Sequence, residues 1–262
     1  MNVFQFQAMK NEGRIITATT AYDYWSAKIL NDSEIDMIIV GDSVAMVVHG
    51  HPNTLAATTA MMEMHIAAVA RGATDKFIVG DMPFLSFRKG LSETMHCVER
   101  LMRAGAHAVK LEGIDGLEDI VKHTVDSGVP VMGHLGLTPQ SVHALGGMKV
   151  QARDEDASAL LADRAKRVED AGAFSVVLEC VSATAARRVT EEVSIPTIGI
   201  GAGKHTDGQV LVLHDILGFN TDFKPKFVRN FAGGEEFVLD AVNRFAQEAR
   251  AGTFPAKAET YS

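Results

Sequence analysis

Residues 37–43 read Met-Ile-Ile-Val-Gly-Asp-Ser, an unbroken apolar run, then a glycine, then an acid and a hydroxyl. A strand with one face in water alternates apolar and polar residues. An uninterrupted run of β-branched residues therefore points to a parallel strand buried on both faces. A short apolar run followed by a polar or glycine-containing turn recurs along the chain, at residues 15–19, 77–79, 108–111, 129–132, 175–178, 197–200 and 210–213, and several of these runs are likewise apolar throughout. Between these runs lie longer stretches whose apolar positions recur every three or four residues, at 58–71, 92–104, 116–127, 154–171 and 183–192. Strands alternating with amphipathic helices are the pattern of βαβ units, and the eight runs match an α/β fold of the (β/α)8 TIM barrel type.

The length agrees, since 262 residues are close to the roughly 250 of an eight-fold barrel. A single barrel domain over residues 1–262 is expected, with a C-terminal helix and tail from about residue 235. Two places depart from the simple rhythm. The gap between the seventh and eighth runs is near the lower limit for a crossover that carries a helix, so it holds a short turn or the strand count is off by one. Residues 135–153, with Pro139 and the pair Gly146 and Gly147, are too long for a turn and read as an active-site loop.

Composition excludes several classes of function. Hydrophobic residues make up 47% and charged residues 22%, which is a globular and not a disordered composition. A net charge of -8 repels nucleic-acid backbones and anionic membranes. The sequence contains no apolar stretch of about 20 residues, and residues 1–11 lack the layout of a signal peptide, so a cytoplasmic location is expected. Cys97 and Cys180 are not spaced as metal ligands and are read as reduced, Cys180 as a small buried hydrophobe.

Catalytic groups of such barrels gather where the strands end. Here the exits deliver Asp42 and Ser43, Asp81, Lys110 with Glu112, His134, and Glu179. Taken singly, Asp42 or Ser43 could be a helix cap. Capping does not call for acids at several exits together with a lysine and a histidine, so the set is read as one functional mouth. Hard cations such as Mg²⁺ take oxygen ligands, often one or two carboxylates, and Asp42, Asp81 and Glu112 suit that demand. Zinc would want histidine or cysteine clusters, and His49 and His51, one residue apart, are a weak case.

Glu179 lies among apolar Leu178, Cys180 and Val181, a partly shielded position fit for a general base. Strand alternation puts Lys110 and Glu112 on the same side. There Lys110 could steady an enolate, form a Schiff base, or sit in a buried ion pair. Glycine-rich residues 199–203 stand where many barrels bind phosphate, a weak signal taken alone.

Eight segments in order carry a resemblance to one family: TAYDY (20–24), VGDS (40–43), DMPF (81–84), VKLEG (109–113), PVMGHLGLTPQSV (130–142), VLECV (177–181), IPTIGIGAG (195–203) and DGQVLVLHD (207–215). On these the chain resembles the ketopantoate hydroxymethyltransferases over nearly its whole length. The resemblance implies a barrel enzyme that moves a one-carbon unit from 5,10-methylenetetrahydrofolate to 3-methyl-2-oxobutanoate, giving 2-dehydropantoate on the route to pantothenate and coenzyme A. It implies one Mg²⁺ per subunit at Asp42 and Asp81 with Glu112 close by. It places the 2-oxo acid against Asp42, Ser43, Asp81 and Lys110, with His134 lining the site and Glu179 as proton acceptor. It also implies homo-oligomers, commonly decamers. Two rival readings remain at this point: a Schiff-base aldolase or lyase working through Lys110 without metal, and a non-catalytic barrel that binds a 2-oxo acid.

Overall fold

The computed structural model describes residues 1–221 and 224–261. These form two compact units, residues 1–212 and 213–262, with the expected tail running past the described residues at Ser262.

The first unit is a closed barrel of eight strands, each paired with its sequence neighbours and the last with the first. The strands are β1 (Ile16–Thr20), β2 (Met37–Val40), β3 (Phe77–Asp81), β4 (Ala108–Glu112), β5 (Val131–Gly136), β6 (Ser175–Glu179), β7 (Thr197–Ile200) and β8 (Gly208–Leu211). All pairings are parallel. Ahead of β1 comes α1 (Val3–Asn11), and outside the strands run α2 (Tyr24–Asn31), the short α3 (Val44–Val47), α4 (Thr59–Gly72), α5 (Leu91–Arg103), α6 (Glu118–Asp126), α7 (Glu155–Asp170) and α8 (Ala183–Glu192). In α5 the buried positions are Thr94, Cys97, Val98 and Leu101, the three- and four-residue spacing that turns one stripe onto the sheet.

The crossover from β7 to β8 contains no helix: residues 201–207 alone make the return. A short strand needs little chain to be retraced, and seven extended residues reach roughly 23 Å. The strand count therefore holds, and the short-turn alternative accounts for the gap.

Period-two alternation divides the barrel interior into two storeys. The lower storey is apolar, built from Ile16, Ala18, Met37, Ile39, Phe77, Val79, Ala108, Met132, Val177, Ile198 and Val210, with Phe6 and Met9 of α1 in the same cluster. Two residues further along the same inward rows, Val79 gives way to Asp81, Ala108 to Lys110 and then Glu112, Met132 to His134, and Val177 to Glu179. The register sets Asp81 opposite Lys110 and Glu112 opposite His134, while Glu179 stands further along, opposite Gly136.

α1 is the plug at the bottom. Its side chain cap at Asn2 accepts from the Gln5 amide, and Phe6, fully buried, meets Phe77 edge-on at 5.2 Å and Phe174 at 6.3 Å. Lys10 fastens the helix by donating to the carbonyls of Val193 and Ile195 at 2.9 and 3.0 Å and by pairing with Asp207 at 3.0 Å.

The second unit holds α9 (Leu213–Leu217) and α10 (Gly234–Ala251). Asn230 donates to the Asp215 carbonyl at 2.7 Å and the Phe231 amide to Ile216 at 2.8 Å. α10 buries no residue, leaving Phe237, Leu239, Val242 and Phe245 exposed. Among the described residues no helix is long and apolar enough to cross a membrane.

Because Phe6 closes a cluster that reaches every inward row of the lower storey, Phe6→Ala is expected to cost about 3–5 kcal/mol. Equilibrium denaturant unfolding monitored by far-UV circular dichroism checks this, and a loss under about 1 kcal/mol would mean that α1 does not seal the barrel.

Candidate active site

The upper storey brings the predicted residues together. Asp42, Asp81, Lys110, Glu112 and His134 are each buried, and Ser43 and Glu179 are partly exposed. Lys110 Nζ lies 2.9 Å from Asp81 Oδ2 and 3.3 Å from His134 Nδ1. Asp81 Oδ2 also accepts from the Asp42 amide at 3.2 Å. His134 Nε2 faces Glu179 Oε2 at 3.1 Å, off the line of a full hydrogen bond. An ammonium has no lone pair, so His134 Nδ1 is the acceptor and its proton resides on Nε2, toward Glu179.

Asp42 and Ser43 are not caps. Ser43 stands at the N-cap position of α3 but its side chain makes no capping bond. It shares a 2.8 Å hydrogen bond with the Tyr22 hydroxyl instead. The Asp42 carboxylate accepts from Gln140 Nε2 at 2.8 Å.

The electrostatics follow from crowding anions into a dry interior. Burial, then the charge of Asp81, pushes the Asp42 carboxyl up to about 7. Burial, then Asp42, raises Glu112 as well. Burial alone would lower Lys110, but the charges of Asp81, Asp42 and Glu112 outweigh it and hold the ammonium protonated. Burial and the neighbouring Lys110 charge depress His134, which is therefore neutral. One fixed ammonium thus shares the interior with the carboxyls of Asp42, Asp81, Glu112 and Glu179, and Asp42 and Glu112 hold their protons more tightly than usual because no second positive charge offsets the crowding, a want that a cation would meet.

Individual atoms fit a cation too. Glu112 Oε2 accepts from the Gln140 amide at 3.0 Å while its Oε1 is buried without a hydrogen-bond partner. Asp81 divides in the same way, Oδ2 occupied and Oδ1 buried and unpartnered. Buried carboxylate oxygens rarely go unsatisfied. Among the described residues no three His, Cys, Asp or Glu side chains close into a ready ligand cage, so Asp42, Asp81 and Glu112 do not form one as placed. An open site with one or two protein carboxylates is the habit of Mg²⁺, which keeps water or substrate oxygens for its other positions.

The segment following β5 overlies this cluster. Gly136 turns it with φ 90, where a side chain would strike the Glu179 carbonyl. The Leu137 amide then donates to Glu179 O at 2.8 Å, and at the far end the Gln151 amide donates to Cys180 O at 2.7 Å. Gln140 and Tyr22 are the site residues that sequence reasoning missed. Both lie in the motif segments, and Gln140 in the long loop, but neither carries a charge that marks it.

The weaker sequence candidates stay outside the cluster. His49 Nε2 contacts His65 Nε2 at 2.9 Å, a pair and not a metal cage. Cys180 is half-buried and not the fully buried hydrophobe expected, and its thiol is pushed up to about 11 by burial and then by Glu179, which leaves it a thiol.

A family profile described as ketopantoate hydroxymethyltransferase matches residues 1–257. The chain is 54% identical to the 3-methyl-2-oxobutanoate hydroxymethyltransferase of Bdellovibrio bacteriovorus over 260 residues, covering 99% of both chains. It is 52% identical to the enzyme of the same description from Coxiella burnetii over 256 residues, 97% of this chain and 96% of that one. Among solved structures, a phosphonopyruvate hydrolase complexed with oxalate and Mg²⁺ superposes with a TM-score of 0.65 at 14% identity, covering 100% of this chain and 92% of that chain. A 2,3-dimethylmalate lyase of the PEP mutase/isocitrate lyase superfamily gives 0.62 at 17%, covering 98% and 91%. At such identities these two show the shared barrel fold alone.

A cation at the cluster must compete with the proton that Asp42 holds below about 7. Its affinity is thus expected to rise with pH through that value, by about tenfold from roughly pH 6 to pH 8, with a proton released on binding near neutrality. Isothermal titration of Mg²⁺ in buffers of different ionisation enthalpy measures both, and a pH-independent affinity would rule out Asp42 as a ligand.

Proposed function

The chain belongs to the ketopantoate hydroxymethyltransferase family, and from that membership and the geometry of the cluster we propose how it works: a one-carbon unit passes from 5,10-methylenetetrahydrofolate to C3 of 3-methyl-2-oxobutanoate, with water supplying the hydroxyl and tetrahydrofolate released, to give 2-dehydropantoate for pantothenate synthesis. The observation that carries the reading is the pairing, inside one interior, of a fixed ammonium and part-satisfied carboxylates with an acid at the rim.

One Mg²⁺ held by Asp42 and Asp81, with Glu112 beside them, would supply Lewis-acid polarisation of the keto group. The chain's own groups do the rest. Ser43, held by Tyr22, and Lys110 orient the 2-oxo acid. Glu179 takes the proton from C3, and the charge that develops on the keto oxygen falls under the Lys110 ammonium, which is already in place and needs no reorganisation. The neutral His134, between Lys110 and Glu179, directs its Nε2 proton toward the Glu179 carboxylate.

The Schiff-base alternative requires a neutral amine at Lys110, and that nitrogen is instead held charged against Asp81. Borohydride trapping on Lys110 with activity surviving a chelator would restore it. We further propose that the chain acts as one domain in the cytoplasm and assembles into a homo-oligomer of decamer size. Exposed Trp25 and Ile29 on α2 and Phe237, Val242 and Phe245 on α10 are surface that association would cover.

Glu179→Gln is expected to retain binding of 3-methyl-2-oxobutanoate and to lose exchange of its C3 hydrogen with deuterated solvent by roughly 10²–10⁴-fold. Asp81→Asn is expected to weaken both cation and 2-oxo acid binding. Proton NMR follows the exchange, and equal exchange in Glu179→Gln and wild type would remove Glu179 as the base. Product formation from the keto acid and methylenetetrahydrofolate, with and without metal, tests the reaction as a whole.

A further inference from the structure

Gln140 is a neutral residue whose every donor is committed to the cluster. Its main-chain amide donates to Glu112 Oε2 at 3.0 Å, and its side-chain nitrogen donates to Asp42 Oδ2 at 2.8 Å and to the Met82 carbonyl at 3.0 Å. The Met82 carbonyl can only accept, and so can the ionised Asp42 carboxylate, so turning the amide over would set its oxygen against theirs. Its own Oε1 is buried without a hydrogen-bond partner. A buried amide that leaves its acceptor unsatisfied is not optimised for stability. It is placed for its nitrogen.

The three contacts belong to three strand exits. Asp42 follows β2, Met82 follows β3, and Glu112 ends β4. Gln140 reaches them from the turn at Pro139–Ser141, in the loop fixed at one end to the Glu179 carbonyl and at the other to the Cys180 carbonyl. A single side chain thereby links the base's own strand exit to the carboxylates. Each bond consumes one oxygen of a carboxylate, which fixes the orientation of the acid and determines which oxygen is left over.

We propose that Gln140 is a positioning residue for the cation site, orienting Asp42 and Glu112 so that their remaining oxygens face the cation. This rests on the reading of Asp42 as a metal ligand. Gln140 touches neither substrate nor metal in this role and acts through the acids it holds.

Gln140→Met keeps the length and volume of the side chain and removes its donors, while the main-chain bond to Glu112 survives. Mg²⁺ titrated calorimetrically into wild type and Gln140→Met, with C3-hydrogen exchange measured across Mg²⁺ concentration and thermal unfolding recorded for each, makes the test. Losing a hydrogen bond to a charged group is expected to weaken Mg²⁺ binding by roughly 10- to 100-fold. Exchange should return to near the wild-type rate at saturating Mg²⁺, with the melting temperature shifted by only a few degrees. Unchanged Mg²⁺ affinity in Gln140→Met would overturn the proposal and leave the metal reading standing. Exchange that stays lost at saturating Mg²⁺ would overturn it as well, because the defect would then not lie in the cation site. Absence of Mg²⁺ binding to wild type would bring down the metal reading and this proposal together.

Discussion

A lysine ammonium buried against an aspartate, Lys110 on Asp81 at 2.9 Å, is the constraint around which the rest of the barrel is arranged. Taking such ions from water costs several kcal/mol each, repaid only when the geometry and the remaining hydrogen bonds are good. Both groups therefore need partners on several strands at once. Lys110 has Asp81 and His134, and Asp81 has the Asp42 amide. A parallel barrel supplies that density of partners because inward side chains from several neighbouring strands converge at one end of a closed ring. The storey beneath must then be dry, and the apolar cluster closed by Phe6 and Met9 makes it so. The plug at one end and the chemistry at the other are parts of one requirement.

Most of this architecture was legible because it depends on periodicity. Inward rows such as Phe77, Val79 and Asp81, or Ala108, Lys110 and Glu112, are written into the order of residues, and the acids at the strand exits announce themselves by charge. What escaped did so for identifiable reasons. β8 begins at Gly208, not at the β-branched Val210, because the first position lies so close to the Ile16 backbone that a side chain would collide there; a glycine read alone marks a turn. β5 runs on to Gly136 for a similar reason. α1 spreads its apolar residues, Val3, Phe4, Phe6, Ala8 and Met9, around the helix and not along one stripe, so no helical period declares it until the barrel end it closes is known.

Among the site residues, the titratable ones were found and the neutral ones were not. Asp42, Asp81, Lys110, Glu112, His134 and Glu179 converge as the strand exits indicated. Gln140 and Tyr22 matter through hydrogen bonds to other side chains, donated by Gln140 to Asp42 and Glu112 and shared between the Tyr22 and Ser43 hydroxyls, and such pairings between residues about 20 to 100 apart are set by tertiary contact, with no local pattern to disclose them.

Depth within the mouth orders the proposed reaction. The Lys110 and Asp81 side chains are 7% and 4% exposed, whereas that of Glu179 is 19% exposed. On the proposed reading a 2-oxo acid would enter with its carboxylate and keto oxygens leading, toward the buried ammonium and carboxylates, and its C3 would trail toward the more exposed Glu179. The proton would then be removed near the mouth and the nucleophilic carbon left facing outward, where a second substrate far too large for the interior could present one carbon atom without entering it. The charged end of the small substrate would be sheltered from water while its reactive carbon stayed accessible, because the ammonium is the more deeply buried group and the base the less.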